Sequence, residues 1–136
     1  MDLLARREHS FAELERKLGP RFEARTLAEA LDALRREGLQ SDVRFALSFV
    51  RQRMLRGMGP ARIRSELHQR GVSGADARHA LEAAPDAEGT SWSDLARSAQ
   101  LKKFGTLELR DDRQRARVGR FLEQRGFSVA DDAQVI

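Results

Sequence analysis

Arginine is the residue type whose distribution in this sequence most clearly points to chemistry. The 136-residue chain carries 25 Lys and Arg against 21 Asp and Glu, a net charge of +4. The whole surplus lies in residues 41–85, which hold eight arginines and four acids, and the window from Val43 to Ser65 holds six arginines and no acid. Guanidinium groups without neighbouring carboxylates can bind the phosphates or carboxylates of a partner. The alternative is that these arginines only cover solvated helix faces.

Residue types that serve catalysis or metal binding do not form a constellation. The histidines stand far apart without partners at metal-ligand spacing, and we interpret them as surface or boundary residues: His9, His68 and His79. Residues 57–60 (GMGP) lack the lysine-hydroxyl ending and the preceding strand of a phosphate loop, so we interpret them as a helix–helix turn. The adjacent aspartates at 111–112 and 131–132 suit helix N-termini. We therefore expect no enzyme activity, no catalytic residues, no metal site and no cofactor.

The elements that would carry the arginines are all helical. Good helix formers dominate the sequence and strand-like alternation is absent. The S/T-x-x-acid spacing of a capping box predicts helix starts at Ser10, Thr26, Ser73, Ser91 and Ser128. Together with glycine and proline stops, this predicts helices near 2–8, 11–18, 27–37, 42–56, 60–70, 74–84, 92–103, 111–125 and 129–135. Pro85 is expected to end the sixth helix and residues 85–90 to form a linker.

An internal repeat organises these helices. The segment Leu67–Ser73 (LHQRGVS) matches Leu122–Ser128 (LEQRGFS), and helices begin at similar places in three successive blocks. Repeats of this length predict modules stacked in a line, each with little core of its own. We place the modules at 1–40, 41–85 and 91–136, and expect Trp92 to anchor the core of the third.

The cellular location of the chain is predicted from features that its sequence lacks. There is no cysteine, no apolar run approaches the roughly 20 residues of a membrane span, and the first ten residues have no signal-peptide core. We expect a cytoplasmic protein. A monomer is expected as well, since no exposed heptad seam is sustained.

Three stretches carry a resemblance to a known family. The stretch in the middle block consists of Arg44-Phe45, Phe49-Val50-Arg51, residues 56–60 (RGMGP), Arg62-Ile63, Glu66-Leu67 and Arg70-Gly71-Val72. Residues 3–10 with Glu13-Leu14 and Lys17-Leu18 form the first stretch, and residues 102–105 with Phe121-Leu122 and 125–128 form the third. In this order they resemble the three repeats of the RecX family. The chain begins inside the helix that opens the first repeat, so we expect no N-terminal arm.

The resemblance implies a fold and a function. RecX-family proteins are tandem three-helix repeats that form an elongated, curved molecule. They bind the RecA nucleoprotein filament along its helical groove and restrain its ATP hydrolysis, strand exchange and co-protease activity. The resemblance therefore implies a regulator of recombination, DNA repair and the SOS response.

Charge then suggests which residues make the contact. We predict a central partner-binding surface in the middle repeat that extends into the third, made of Arg44, Arg51, Arg53, Arg56, Arg62, Arg64, Lys102, Lys103, Arg113, Arg117 and Arg120. Arg53 falls near the apolar stripe of its helix and could lay its stem over the core. One alternative is a helix-turn-helix-like DNA-binding module, and another is a helical adaptor for a different partner. Weak nonspecific DNA binding could accompany the filament role.

Overall fold

The chain folds into short α-helices joined by tight turns. A computed structural model describes residues 7–105 and 111–128. Within those ranges the α-helices, which we number α1 to α7, are Phe11–Leu18, Ala24–Arg36, Asp42–Leu55, Pro60–Gln69, Gly74–Ala87, Trp92–Phe104 and Asp112–Arg125. A 3-10 turn, Gly19–Arg21, follows α1, and no strand occurs in the described ranges. The predicted all-α class is confirmed.

Two predicted helices fall at the ends of the described chain. The predicted helix 129–135 and residues 2–6 of the predicted helix 2–8 lie outside the described residues, and residues 7 and 8 are not helical. Helices α3, α4 and α5 form a complete three-helix unit, which we call the middle repeat. Helices α1 and α2 precede it, and α6 and α7 follow it. The boundaries 1–40, 41–85 and 91–136 stay a prediction.

The N-terminal caps of the helices agree only in part with those predicted from the sequence. At α1 the Ser10 side chain accepts from the Glu13 amide and the Glu13 side chain accepts from the Ser10 amide, which is the complete capping box. Ser91 caps α6 as predicted. The predicted start after Thr26 is wrong, because α2 begins at Ala24, three residues before the predicted first residue 27. Ser73 precedes α5, but its side chain accepts no hydrogen bond from that helix, so its predicted capping box does not form.

Pro85 does not end the sixth predicted helix. Helix α5 continues through it to Ala87, so the connection to α6 is shorter than the predicted linker. Proline has no amide hydrogen and leaves the carbonyl four residues earlier without its helical donor. Here that carbonyl belongs to Leu81, and it accepts a hydrogen bond of 3.0 Å from the Trp92 indole Nε1. A donor from the next helix thus replaces the bond that Pro85 cannot make.

Within residues 7–105 and 111–128, the core is divided into a small cluster at α1–α2 and two larger clusters that touch. Leu14, Leu18, Leu27 and Leu31 form the cluster of α1 and α2. The middle repeat has the largest cluster, which includes the predicted stripe of Ala46, Phe49, Val50 and Met54. Trp92 and Leu95 pack against this cluster and also against the one formed by α6 and α7. Trp92 is therefore shared between two cores and is not an anchor of the third repeat alone.

None of the helices in residues 7–105 and 111–128 has the length and apolar character that a membrane span requires.

Gly119 offers a direct test of helix energetics. It lies inside α7, and a Cβ built on it would meet nothing within 4 Å. Because alanine is favoured over glycine in a helix interior by about 1 kcal/mol, we expect Gly119→Ala to raise the free energy of unfolding by about that amount. Thermal unfolding followed by circular dichroism measures the effect. A lower melting temperature would contradict the open surroundings of Gly119.

Candidate binding surface of the middle repeat

The middle repeat is joined to α7 by the backbone of two helix ends. The Gly59 amide donates to the Arg125 carbonyl at 2.7 Å, and the Ala61 amide donates to the Gly126 carbonyl at 3.0 Å. Helix α4 has no side-chain cap of its own. The end of α7 therefore supplies acceptors for amides that the first turn of α4 leaves without partners. We call this contact the second joint.

The same arrangement joins α1 to the end of α4. The Ser10 hydroxyl donates to the Arg70 carbonyl at 2.7 Å, and the Arg70 guanidinium reaches the Glu13 carboxylate at the same distance. Arg70 and Arg125 occupy matching positions of the internal repeat, and Ser10 and Gly59 are both N-caps. The repeated Arg-Gly is thus a docking element that contacts the start of a helix in the preceding part of the chain. We call this contact the first joint.

Charged and polar side chains surround the first joint. Glu13 is 4% exposed and also accepts from Arg7 at 3.3 Å. Burial alone would raise the pKa of Glu13, but hydrogen bonds from Arg7, the Ser10 amide and Arg70 outweigh it and hold the pKa below the ordinary value of 4.5. On the other side, Gln40 donates to the His9 carbonyl at 3.2 Å.

The prediction that the histidines are surface or boundary residues is wrong for His9 and correct for the other two. His9 is buried, at 2% exposure, and its ring nitrogens lie 3.1 Å from the Arg7 carbonyl and 3.3 Å from Lys17 Nζ. Burial, followed by the positive charge of Arg7, lowers the pKa of His9. His68 and His79 are exposed, as predicted. No group of three or more His, Cys, Asp or Glu side chains in the described part of the chain could hold a metal ion.

Several of the predicted partner-binding arginines hold the fold together. Arg44 pairs with Glu8 at 2.9 Å and donates to the Gly38 carbonyl at 2.8 Å, which ties α3 to the preceding chain. Arg51 pairs with Glu88 beyond the end of α5. Arg53 stacks its guanidinium 4.4 Å from the centre of the Phe49 ring, so its stem does cover the core.

Other predicted residues project into solvent. Arg56, Arg62 and Arg64 are exposed around the α3–α4 turn and on α4, and no hydrogen bond or ion pair to a described residue engages their side chains. Lys102 and Lys103 are exposed at the end of α6, and Arg113 and Arg120 are exposed on α7. Arg117 lies 5.5 Å from the centre of the Phe104 ring.

Charge counting missed two residues near this surface. Arg78 and His68 flank a groove between α4 and α5 that Arg64 also lines. Arg78 is one of the eight arginines of residues 41–85, but it follows the acid-free window and is separated from it by Glu66 and Asp76, so the predicted surface did not include it. The signal that could have found it is helical spacing, since Gly74, Ala77 and Arg78 share one face of α5.

The described residues form an α-helical repeat protein that exposes arginines on its middle repeat. A family model described as "RecX, second three-helix domain" matches residues 41–81. "Regulatory protein RecX" of Pseudomonas fluorescens is 49% identical over 131 residues, which cover 95% of this chain and 81% of the relative. The protein of the same name from Chromohalobacter salexigens is 50% identical over 127 residues, covering 92% and 80%. The chain belongs to the RecX family of regulatory proteins.

Solved structures agree with the fold. "Crystal structure of RecX from Lactobacillus salivarius" superposes with a TM-score of 0.80 at 20% identity, covering 98% of this chain and 87% of that one. "Crystal structure of regulatory protein RecX" has a TM-score of 0.77 at 24% identity, and this chain covers 66% of its length. The tandem three-helix architecture predicted from the sequence is confirmed.

Proposed function

We propose that this chain binds the RecA nucleoprotein filament and restrains its ATP hydrolysis, strand exchange and co-protease activity, as a non-enzymatic cytoplasmic monomer. The observation that carries the proposal is the trio Arg56, Arg62 and Arg64, which is exposed on the middle repeat without a carboxylate partner among the described residues. Unpaired guanidinium groups suit both acidic protein surface and phosphate. Membership of a family of regulatory proteins supports a binding role over a catalytic one.

The remaining predicted contacts divide into two roles. Lys102, Lys103, Arg113 and Arg120 extend the basic surface over α6 and α7. Arg44, Arg51, Arg53 and Arg117 are engaged within the chain, and in the proposal they mainly hold the surface in position. Replacing one of these four would therefore change stability together with binding.

The filament proposal predicts a loss of inhibition when the free arginines are reversed in charge. We expect Arg56→Glu with Arg62→Glu to raise the concentration needed to inhibit RecA ATP hydrolysis on single-stranded DNA by about tenfold or more, since like-charge contacts at an interface cost several kcal/mol. Circular dichroism should stay unchanged. The matched control is Arg21→Glu with Arg36→Glu, which makes the same charge change at two exposed sites outside the middle repeat. Equal inhibition by both double variants would overturn the central-surface proposal.

A DNA-binding module is the second candidate, favoured by the same arginines. The two candidates differ in what they bind at physiological salt. The filament role requires tighter binding to RecA-coated DNA than to bare DNA, whereas a DNA module binds both equally. Fluorescence anisotropy with one labelled oligonucleotide, measured with and without RecA, separates them.

A further inference from the structure

The two joints of the molecule share one plan, so their residues can be compared position by position. Each joint brings the Arg-Gly end of a later helix to the start of an earlier one. Counted from the N-caps Ser10 and Gly59, the third helical residue is Glu13 in α1 and Arg62 in α4, and the fourth is a buried core residue in both helices. An acid at the first joint therefore corresponds to an arginine at the second.

The acid at the first joint has two roles there. Glu13 accepts a hydrogen bond from the Ser10 amide at 3.1 Å and another from the Arg70 guanidinium at 2.7 Å. The first bond satisfies an amide that the helix start leaves without a partner. The second is a charge-assisted bond that holds the docked Arg-Gly end against α1.

Only one of these two roles is filled at the second joint. The Gly59 amide donates to the Arg125 carbonyl, so this part of the helix start is satisfied without an acid. The Arg125 guanidinium, which corresponds to that of Arg70, lies 5.2 Å from the centre of the Phe121 ring. No carboxylate of residues 7–105 or 111–128 pairs with it. The second joint therefore lacks the ion pair of the first.

Arg62 lies directly at this incomplete contact. A Cβ built on Gly126 would come within 2.5 Å of the Arg62 Cβ, so the Arg62 side chain leaves α4 beside the docked end of α7. Its guanidinium is exposed, and no ion pair or hydrogen bond joins it to another described residue. A positive charge in the first turn lies at the positive end of the helix dipole, and Arg125 adds a second positive charge to the contact. Arg62 therefore weakens the joint at which it lies.

We infer that Arg62 occupies the position of a joint acid and is a binding residue of the middle repeat, so that stability and binding are opposed at this one side chain. The second joint lacks an ion pair because this position presents a positive charge to the partner. The other exposed arginine of α4, Arg64, takes no part in the backbone bonds or in the Gly126 contact of the joint. The inference rests on the proposed function, because it takes the RecA filament as the partner that Arg62 meets.

The first part of the test measures the melting temperature of the full chain without any partner. Arg62→Glu places a carboxylate at the third helical position, where it can pair with Arg125 and suits the helix N-terminus. We expect the melting temperature to rise by about 3–5 °C. Arg64→Glu makes the same charge change on the same helix outside the joint and should leave the melting temperature nearly unchanged. In a chain that also carries Arg125→Gln, the rise caused by Arg62→Glu should fall to less than about half, because the new acid has lost its partner.

The second part measures inhibition of RecA ATP hydrolysis on single-stranded DNA by the same variants. Arg62→Glu should raise the concentration needed for half-inhibition by about threefold or more, although this variant is the more stable protein. Arg21→Glu, at an exposed site outside the middle repeat, should leave that concentration unchanged.

The two halves of the inference are contradicted by different results. A melting temperature that fails to rise in Arg62→Glu, or that rises equally in Arg64→Glu, would show that Arg62 does not hold the position of a joint acid. A more stable Arg62→Glu variant that inhibits as well as the unchanged chain would show that Arg62 is not a binding residue. Either result leaves the proposed function in place as long as the unchanged chain inhibits RecA. An unchanged chain that does not inhibit RecA would overturn the proposed function and, with it, the binding role of Arg62.

Discussion

Gly59→Ala should destabilise the protein by about 2–3 kcal/mol, enough to lower the melting temperature by roughly 6–12 °C. Gly59 has φ −89°, which alanine adopts freely, so backbone strain does not contribute. The added Cβ would lie 2.5 Å from the Phe127 backbone nitrogen and 2.6 Å from the Gly126 carbonyl oxygen. These are backbone atoms at the second joint, so the clash is relieved only if α7 moves away from α4.

Gly19→Ala is the matched control for this prediction. Gly19 also has an ordinary φ, of −52°, and a Cβ built there meets nothing within 4 Å. Gly19 precedes Pro20, whose ring disfavours the helical conformation for a residue with a Cβ, so we expect a decrease in melting temperature that is clearly smaller than that of Gly59→Ala. Calorimetry of both variants measures the difference. If Gly59→Ala unfolds at the same temperature as Gly19→Ala, then the close approach of α4 to the end of α7 is not part of the folded protein in solution.

Loss of the Glu13 carboxylate should have a comparable effect at the first joint. Glu13→Ala removes the acceptor of the Ser10 amide and leaves the Arg70 guanidinium without its 2.7 Å partner. Hydrogen bonds to a buried charged group contribute about 1.5–3 kcal/mol, and the partial exposure of Arg7 and Arg70 places the expected loss at about 2 kcal/mol. Glu15→Ala is the control, because Glu15 lies exposed on the same helix. Urea unfolding of both variants tests the prediction, and equal midpoints would contradict it.

The same joint makes stability depend on pH. The pKa of Glu13 is held below 4.5 in the folded state and that of His9 below 6.5, so in both cases the unfolded chain binds a proton more readily. Each group therefore contributes fully to the stability of the folded state above its own pKa in the unfolded chain, and this contribution is lost as the pH falls. We expect stability to decline below about pH 6.5 and more steeply below about 4.5. Glu13→Gln should flatten the lower part of this profile, whereas Glu15→Gln should reproduce the profile of the unchanged chain.

The sequence predicted what depends on neighbours along the chain. The start of α1 was correct to the residue because Ser10 and Glu13 satisfy each other within one turn. The ends at Thr26 and Pro85 were wrong for different reasons. Helix α2 begins directly after Glu23, so the Thr26 pattern lies inside the helix and does not mark its start. In α5, the Trp92 indole replaces the hydrogen bond that Pro85 removes. A rule based on local spacing contains no term for a donor eleven residues away.

Which arginines pair within the chain could not be predicted for a similar reason. Charge counting located the basic block, but it could not distinguish Arg51, which pairs with Glu88 from the far end of α5, from Arg56, which stays free of any such partner in the described ranges. It also could not show that Arg70 and Gly71 serve a joint. A Cβ on Gly71 would collide with Ala12, which lies 59 positions earlier in the chain. Such contacts become visible only when distant segments are brought together.

The two joints should give the molecule unequal stiffness. The first is held by a hydroxyl, charged side chains and the close approach of Gly71 to Ala12, without a backbone-to-backbone hydrogen bond between Ser10 and Arg70. The second is clamped by two backbone bonds and by Trp92 and Leu95, which fill the cores on both sides. We therefore expect bending to occur beside α1, while α3 to α7 move together as a rigid body. The exposed arginines of α3 to α7 would then keep a fixed arrangement relative to one another while α1 moves.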